Sequence, residues 1–299
     1  AYEIVSRDWS SDVCSSDLAA LSLTFDVDAE TGVLMPKPTG WRDAMAMTHQ
    51  AFGPKVGVPR LMRILAEEKV KGTFFVPGWT ARRYPHLIAS ILEEGHEVGA
   101  HSDLHYPAPD ISEADERKDF EKALTTLRDQ GVTVVGHRAA WWQATWFTLD
   151  LLAEYGFQYD SSLMDDDRPY VLEVNGHRMA ELPPHWSLDD WEQYAFLPDP
   201  NIGQLIELPE KLFQLLRVEL DAQRKEGGLV VSTMHPFLSG RASRAEVVRQ
   251  IIRHAKECGD VWIAPLGEIA DATLAADGVP ERTPDIPDLS LGPYDGGQS

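Results

Sequence analysis

ALSLTFDVD, residues 20–28, joins a predicted core strand directly to a pair of carboxylates. The apolar run 20–25 predicts a buried strand. Asp26 and Asp28 follow it two residues apart, and side chains at that spacing point to the same side of an extended chain. The stretch therefore puts two acidic groups together at the carboxyl end of a strand.

From Ala19 onward, apolar strands alternate with amphipathic helices. We predict further strands at 72–77, 96–101, 133–138, 157–162, 178–183, 229–235 and 261–266, and helices at 58–69, 80–94, 112–129, 145–155, 209–226 and 242–257. Such alternation is typical of parallel strands joined by crossover helices, and seven or eight of them predict an α/β fold, a distorted (β/α) barrel forming a single domain. Two irregular stretches, 29–56 and 163–208, are predicted to be lids or binding loops.

The two ends of the chain do not follow this pattern. Residues 1–18 show no periodicity, and DWSSDVCSSDL (8–18) can be back-translated into a common sequencing adapter. We therefore predict a non-native segment, the alternative being a natural, disordered polar arm; a signal sequence could have been lost with a natural N-terminus. The Pro-, Gly- and Asp-rich stretch 276–299 predicts an extended or disordered tail, outside the core or packed on a neighbouring subunit. Residues 19–275 remain as the catalytic domain.

The composition is that of a globular enzyme with an acidic surface. Of 299 residues, 43% are hydrophobic and 25% charged, which is enough apolar material for a large core. The net charge of −21 argues against nucleic acid or an anionic membrane as a partner, and no apolar run approaches the roughly 20 residues of a membrane span. Cys14 and Cys258 match no disulfide framework, so a reduced compartment is permitted and we predict a cytoplasmic location.

HSDLH, residues 101–105, supplies two imidazoles after the third predicted strand. Four residues apart, His101 and His105 would lie on one side of a helical turn. Alone they are as readily a capping or core pair, but with Asp28 they form a set that binds a divalent metal and leaves positions open for water and substrate. We predict one divalent ion, zinc before cobalt, manganese or nickel, held by Asp28, His101 and His105.

Three further polar residues at strand ends complete a predicted hydrolytic site. Asp26 is the expected base for a water that the metal activates, Arg138 would orient Asp26 and keep it ionised, and His235 would protonate the leaving nitrogen. The carboxyl ends of parallel strands share one face of a barrel, where such enzymes build their active sites. A plain salt bridge for Arg138, and a turn-shaping role for His235 before its proline, are the alternatives.

Four other residues are candidates for a substrate pocket. Trp141 and Trp142 follow Arg138 and could form its wall, or could equally be aromatic core. Asp160 ends a strand on the same predicted rim. His49, in the stretch 29–56, could enter the site as part of a lid.

These motifs resemble those of the polysaccharide deacetylases, the family-four carbohydrate esterases with nodulation-deacetylase homology. The similar segments, TFDVD (24–28), HSDLH, the Arg138 segment and MHP (234–236), span about residues 20–270. The resemblance implies a distorted (β/α) barrel, a zinc-like metal and hydrolysis of an amide, usually an N-acetyl group on a sugar. It also implies the family roles for Asp26, Asp28, His101, His105, Arg138 and His235.

Other segments are similar to a subgroup of that family. They are GHEVGAH (95–101), RAAWW (138–142), YDSSLMDDDRPY (159–170), ELPPHWSLDD (181–190) and MHPFLSGRASR (234–244). The subgroup includes Helicobacter-type peptidoglycan deacetylases, cyclic imide hydrolases and deacetylase-like allantoinases. RAAWW replaces the Arg-Pro-Pro-Tyr run usual in polymer-active members, and stretch 29–56 could cover a groove, so small substrates are favoured by this comparison.

We expect a metal-dependent hydrolase of non-peptide C–N bonds, with N-deacetylation of an amino sugar as the preferred reaction. Its rival is hydrolysis of a cyclic imide or an allantoin-like cyclic amide. Two readings outside this chemistry are a non-catalytic carbohydrate-binding module and an oxygen-activating iron enzyme, which uses the same ligand set. The expected partners are a saccharide or small-molecule substrate and further copies of the chain in a homo-oligomer.

Overall fold

A computed structural model describes residues 19–199, 201, 203 and 205–287 of the chain. The predicted non-native segment 1–18 and the last part of the predicted tail, 288–299, lie outside the described residues. Among the helices that are described, none has both the length and the apolar character needed to cross a membrane.

One mixed sheet organises the described part of the chain. Its strands are β1 (Ala19–Asp26), β2 (Thr73–Val76), β3 (Glu97–Ala100), β4 (Gly136–His137), β5 (Tyr159–Asp160), β6 (Tyr170–Val174), β7 (His177–Glu181), β8 (Leu229–Met234), β9 (Val261–Ile263) and β10 (Glu281–Arg282). The order is β10-β6-β7-β5-β4-β3-β2-β1-β8, with β9 also paired to β1. Eight of these strands run in the same direction. The other two, β6 and β10, are parallel to each other and run in the opposite direction, since β6 pairs with β7 in antiparallel fashion. The predicted distorted (β/α) barrel fold is confirmed, although the sheet is not closed and the described residues form ten strands, with β6 antiparallel to β7, where seven or eight parallel strands were predicted.

Helices cover the outside of the sheet. They are α1 (Thr31–Leu34), α2 (Ala44–Phe52), α3 (Val58–Glu68), α4 (Gly78–Arg83), α5 (Pro85–Glu93), α6 (Glu113–Asp129), α7 (Trp146–Glu154), α8 (Trp191–Tyr194), α9 (Pro209–Glu226), α10 (Ala242–Cys258) and α11 (Leu266–Ala275). Short 3₁₀ turns lie at Pro38–Arg42, Ala108–Asp110, Ala140–Trp142 and Trp186–Leu188, and a π-turn at Gly53–Gly57. The helix predicted at 80–94 is two helices, because Pro85 begins a new one.

The two stretches predicted to be irregular contain regular structure. Within 29–56 lie α1 and α2, and Asp43 caps α2 by accepting the amide of Ala46. Within 163–208, β6 and β7 form a hairpin whose turn residues, Asn175 and Gly176, both have positive φ. Asn-Gly suits the tight turn that joins antiparallel strands, and this local signal predicts the hairpin that hydrophobic periodicity missed.

The central strand, β1, has a largely apolar sequence because of its position in the sheet. All eight residues of β1 are buried, because β2, β8 and β9 pair with it and helices cover the sheet. A strand buried on both faces has a largely apolar sequence, and the carboxylate of this strand lies at its end. That end, at Asp26, lies beside the ends of β2 and β8.

Candidate active site

Three side chains that follow β1 and β3, the strands on either side of β2, converge on one point. Asp28 follows β1. His101 directly follows β3 and begins the loop that contains His105. The Nε2 atoms of His101 and His105 lie 3.4 and 3.3 Å from Asp28 Oδ1. All three residues are buried, and one ligand atom from each lies within 4.8 Å of the others.

The two histidines meet through a loop rather than through a helical turn. Residues 101–107 contain no helix, and both Ser102 (φ 58°) and His105 (φ 63°) are left-handed, which turns the chain sharply. Ser102 Oγ accepts the amide of His105, and the Asp119 carboxylate accepts the amides of Asp103 and Leu104 at 2.6 and 3.0 Å. The predicted helical alignment of HSDLH was therefore wrong, because hydrogen bonds to α6 and to Ser102 hold a different backbone.

The chemistry of this triad fits a divalent cation. Both carboxylate oxygens of Asp28 are buried without a hydrogen-bond partner, a costly arrangement that a cation would relieve. The Nδ1 of His101 lies 2.8 Å from the carbonyl oxygen of Arg138, so donation of Nδ1–H leaves the Nε2 lone pair facing Asp28. Burial lowers the pKa of His105 to about 4, so that imidazole is neutral and able to ligate.

A buried arginine holds the second carboxylate. Arg138, fully buried after β4, donates from Nη1 to Asp26 Oδ1 at 2.7 Å and to Thr24 Oγ1 at 2.9 Å. Its Nη2 donates to Ser161 Oγ, and the guanidinium lies over the ring of Phe75. Asp26 Oδ2 is left facing the triad, 3.9 Å from His101 Nε2. Arg138 therefore fixes which oxygen of Asp26 is free.

His235 faces the triad from the other side. Following β8, it places Nε2 3.5 Å from Asp28 Oδ2, while its Nδ1 lies 2.8 Å from Asp190 Oδ1 and 3.4 Å from Asp189 Oδ1. Burial opposes a charge on His235, but the carboxylates of Asp189 and Asp190 outweigh it and raise the pKa of His235 well above its usual value.

The sequence prediction missed Asp189 and Asp190. The bridge between Asp189 and Thr233 lays this segment beside β8, and the Asp190 carboxylate accepts the backbone amides of His235 and Ser239 as well as Nδ1–H. ELPPHWSLDD (181–190) was noted only as a subgroup feature. The signal that could have found them is an acidic pair within a predicted binding loop, together with the need of a catalytic histidine for a carboxylate partner.

Aromatic rings border the site. The Trp141 ring lies 5.4 Å from that of His105 and 5.2 Å from that of Trp191, which is in turn 5.2 Å from the ring of His235. Trp141 has a left-handed backbone (φ 58°), and its buried indole nitrogen has no hydrogen-bond partner. The wall was predicted for Trp141, whereas Trp191 was not recognised.

The other predicted pocket residues have their described contacts with residues outside the triad. Trp142 packs its ring against Trp186, with 4.5 Å between centroids. Asp160 accepts hydrogen bonds from His137 and Ser162. His49, on α2, contacts the ring of Phe237.

Phe237 lies between His49 and the site. Its ring is 5.4 Å from that of His49 and 6.0 Å from that of His235. His49 therefore contacts the site only through Phe237. The described contacts of Trp142 and Asp160 are with residues outside the triad.

Comparison with known proteins finds related sequences and folds. The family model described as polysaccharide deacetylase matches residues 43–159. A crystal structure of a Mycobacterium smegmatis protein assigned to the polysaccharide deacetylases is 45% identical, with a TM-score of 0.89, and the match covers 95% of this chain and 99% of that one. The peptidoglycan deacetylase of Helicobacter pylori is 28% identical over 251 residues, 75% of this chain and 85% of its own length. Puue allantoinase, 21% identical with a TM-score of 0.75 over 91% of this chain and 97% of its own, shares the fold.

Proposed function

This chain belongs to the polysaccharide deacetylase family, whose members are hydrolases of non-peptide C–N bonds, and we propose that it removes the N-acetyl group of an amino sugar with one divalent metal ion. The observation that carries the proposal is the buried Asp28–His101–His105 triad with Asp26 on one side and His235 on the other. A base and an acid on opposite sides of an electrophilic centre are what amide hydrolysis requires.

Asp28, His101 and His105 would hold the metal, zinc before cobalt, manganese or nickel, because two imidazoles and one carboxylate suit these ions. When bound, such an ion polarises a carbonyl oxygen and makes water more acidic. The orphaned oxygens of Asp28 are the feature of this chain that most needs a cation.

Asp26 is the proposed base. Arg138 occupies Asp26 Oδ1, so Oδ2 is the atom that takes the proton from the attacking water. Because the guanidinium is also held by Thr24 and Ser161, the carboxylate is fixed before substrate arrives.

His235 is the proposed acid. Its Nδ1–H donates to Asp190, which leaves the protonated Nε2 to give its proton to the amide nitrogen as the C–N bond breaks. The carboxylates of Asp189 and Asp190 raise the pKa of His235, and so keep that proton available at neutral pH. The products are acetate and a free amine.

Trp141 and Trp191 are the proposed wall of the substrate pocket. A flat apolar surface beside His105 suits the face of a sugar ring or the methyl of an acetyl group. It suits a small planar ring equally well, and this is the observation that favours hydrolysis of a cyclic imide or related cyclic amide as the second candidate.

A substrate panel tests the proposal. Metal-loaded protein is incubated with N-acetylated chitooligosaccharides, a peptidoglycan fragment, a cyclic imide, hydantoin and allantoin, and free acetate and ring opening are measured. We expect acetate release that Asp26→Asn abolishes while its metal content is unchanged. Ring opening without acetate release would replace the amino sugar by a cyclic amide, and an absence of turnover on every substrate would support a carbohydrate-binding module instead.

A further inference from the structure

A second group of metal-ligand side chains lies between α9 and α10, away from the triad. Asp221 comes from α9, and His254 and Cys258 come from α10. His254 Nε2 is 2.8 Å from Asp221 Oδ1 and 3.8 Å from Cys258 Sγ. One ligand atom from each residue lies within 4.8 Å of the other two.

From this geometry we propose that Asp221, His254 and Cys258 form a second metal site, which binds zinc or another thiophilic divalent ion. One thiolate, one imidazole and one carboxylate make a three-ligand set that prefers such ions, and water completes the coordination. The site is separate from the candidate active site, whose triad offers only nitrogen and oxygen donors.

Helix geometry explains how the three donors come together. His254 and Cys258 are four residues apart on α10, so both side chains lie on one face of the helix. That face packs against α9, which brings Asp221 opposite them. Both are in the last turns of α10, whose carbonyl ends carry partial negative charge and favour a cation.

The position in the fold keeps this site distant from the active-site rim. α9 leads into the first residue of β8, and α10 leads into the first residue of β9. Asp221 and Cys258 therefore lie near the amino ends of these strands, whereas Asp28 and His235 follow the carboxyl ends of β1 and β8. Residues on the amino-end face of such barrels typically contribute to stability rather than to catalysis.

Neighbouring arginines donate their hydrogen bonds to atoms other than the one on Asp221 that a metal would use. Arg217 contacts Asp221 Oδ2 at 3.2 Å, which leaves Oδ1 directed at His254. Arg224 is held by two hydrogen bonds to Asp260 at 2.6 and 2.8 Å, and its Nη1 lies 3.7 Å from Asp221 Oδ1, beyond hydrogen-bond distance. The three proposed ligands are all half-buried, so an ion can reach them from solvent.

Binding of the metal ion at this site is coupled to the release of a proton. The thiol of Cys258 gives up its proton as the metal–sulfur bond forms, and His254 presents the Nε2 lone pair with its proton on Nδ1. No oxidant or co-reactant is needed. An ion here would join α9 to α10 and stabilise the packing of the two helices.

Cobalt provides a test that ignores the active site, because a thiolate ligand to Co²⁺ gives a near-ultraviolet charge-transfer band that nitrogen and oxygen ligands do not give. The full chain is stripped of metal and titrated with Co²⁺, and the band is recorded. We expect a saturable band that Cys258→Ser removes and that Cys14→Ser and Asp28→Asn leave in place. The chain has two cysteines, so Cys14→Ser is the matched control.

Two more variants separate a built site from a lone thiol. His254→Gln and Asp221→Asn should each weaken Co²⁺ binding, measured by the band, by at least about tenfold. Mutating a residue that only supports a metal ligand already lowers metal affinity by about that factor, so loss of a ligand should lower it at least as much. No band in the wild type, a band that follows Cys14, or a band that both variants leave unchanged would each overturn the proposal. Acetate release by Cys258→Ser should equal that of the wild type, so this result is independent of the proposed function.

Discussion

Replacement of Asp190 by asparagine should separate the acid step of catalysis from the rest of the site. The Asp190 carboxylate is fully buried and accepts Nδ1–H of His235 at 2.8 Å, the backbone amide of His235 at 3.0 Å and the backbone amide of Ser239 at 3.1 Å. The substitution keeps the shape of the side chain but removes its charge and gives one of its two terminal atoms donor hydrogens. At least one N–H group that now donates to the carboxylate must then face the NH₂ group of asparagine, which cannot accept it.

The magnitude follows from these contacts. A buried donor left without an acceptor costs about 1–3 kcal/mol, so we expect Asp190→Asn to lower the free energy of unfolding by that amount. Without the carboxylate, the proton on His235 is no longer held for transfer, and kcat should fall about 10²- to 10⁴-fold, the range of general acid catalysis. KM should change little, because Asp190 lies behind His235 and away from the substrate.

Asp189→Asn is the matched control, one residue away. Asp189 Oδ1 lies 3.4 Å from His235 Nδ1 and accepts the amide of Trp191 at 2.7 Å, so its main contact is with the backbone. We expect a smaller loss of kcat than for Asp190→Asn. Acetate release gives kcat and KM, and urea unfolding gives stability. Equal kcat losses for the two variants, or an Asp190→Asn enzyme as fast as the wild type, would refute the role given to Asp190.

Further predictions concern stability. Arg138→Ala leaves Asp26 buried without its cation and should cost about 3–5 kcal/mol in urea unfolding, whereas Arg117→Ala, which breaks an exposed ion pair, should cost far less; similar losses would contradict this. Burial lowers the pKa of His96 to about 4, and its Nδ1 accepts the amide of Gly72. Below about pH 6.5, His96 binds a proton in the unfolded chain but stays neutral in the folded chain. The free energy of unfolding therefore falls by up to about 3 kcal/mol as the pH drops towards 4. His96→Asn keeps an acceptor and should flatten that slope; an unchanged slope would exclude His96 as its source.

Much of the fold could be predicted because its signals are local. The buried run before Asp26 and the capped helices each carry their pattern within a few residues; Ser112, for example, was predicted to begin its helix and caps α6. The hairpin β6–β7 was not predicted, because its clearest local signal is the Asn-Gly turn at residues 175 and 176 and not a hydrophobic period.

The candidate site was predictable where strand ends supply it. Asp26, Asp28, His101 and Arg138 lie at the carboxyl ends of β1, β3 and β4, which belong to one run of four adjacent parallel strands, so the topology brings them to the same edge of the sheet. The contacts of His235 with Asp190 could not be read in this way. They depend on residues 189 and 190 folding back beside β8, a pairing between segments more than 40 residues apart with no local pattern.

The HSDLH motif shows a different limit. Its spacing predicted convergence of two imidazoles, and they do converge, but by a loop held from Asp119 on α6. Spacing fixes which residues can meet, whereas the backbone that joins them depends on hydrogen bonds from elsewhere in the fold.

Metal dependence through Asp28 is the central claim, and metal content measured together with acetate release tests it most directly. Wild-type protein, stripped with a chelator and reloaded with Zn²⁺, is compared with Asp28→Asn in both assays, and Cys258→Ser is included so that zinc bound at the second site is not counted. We predict that stripping abolishes acetate release, that zinc restores it, and that Asp28→Asn neither retains zinc at the triad nor recovers activity. Acetate release that survives full removal of metal, or an Asp28→Asn enzyme that is active, would contradict the account.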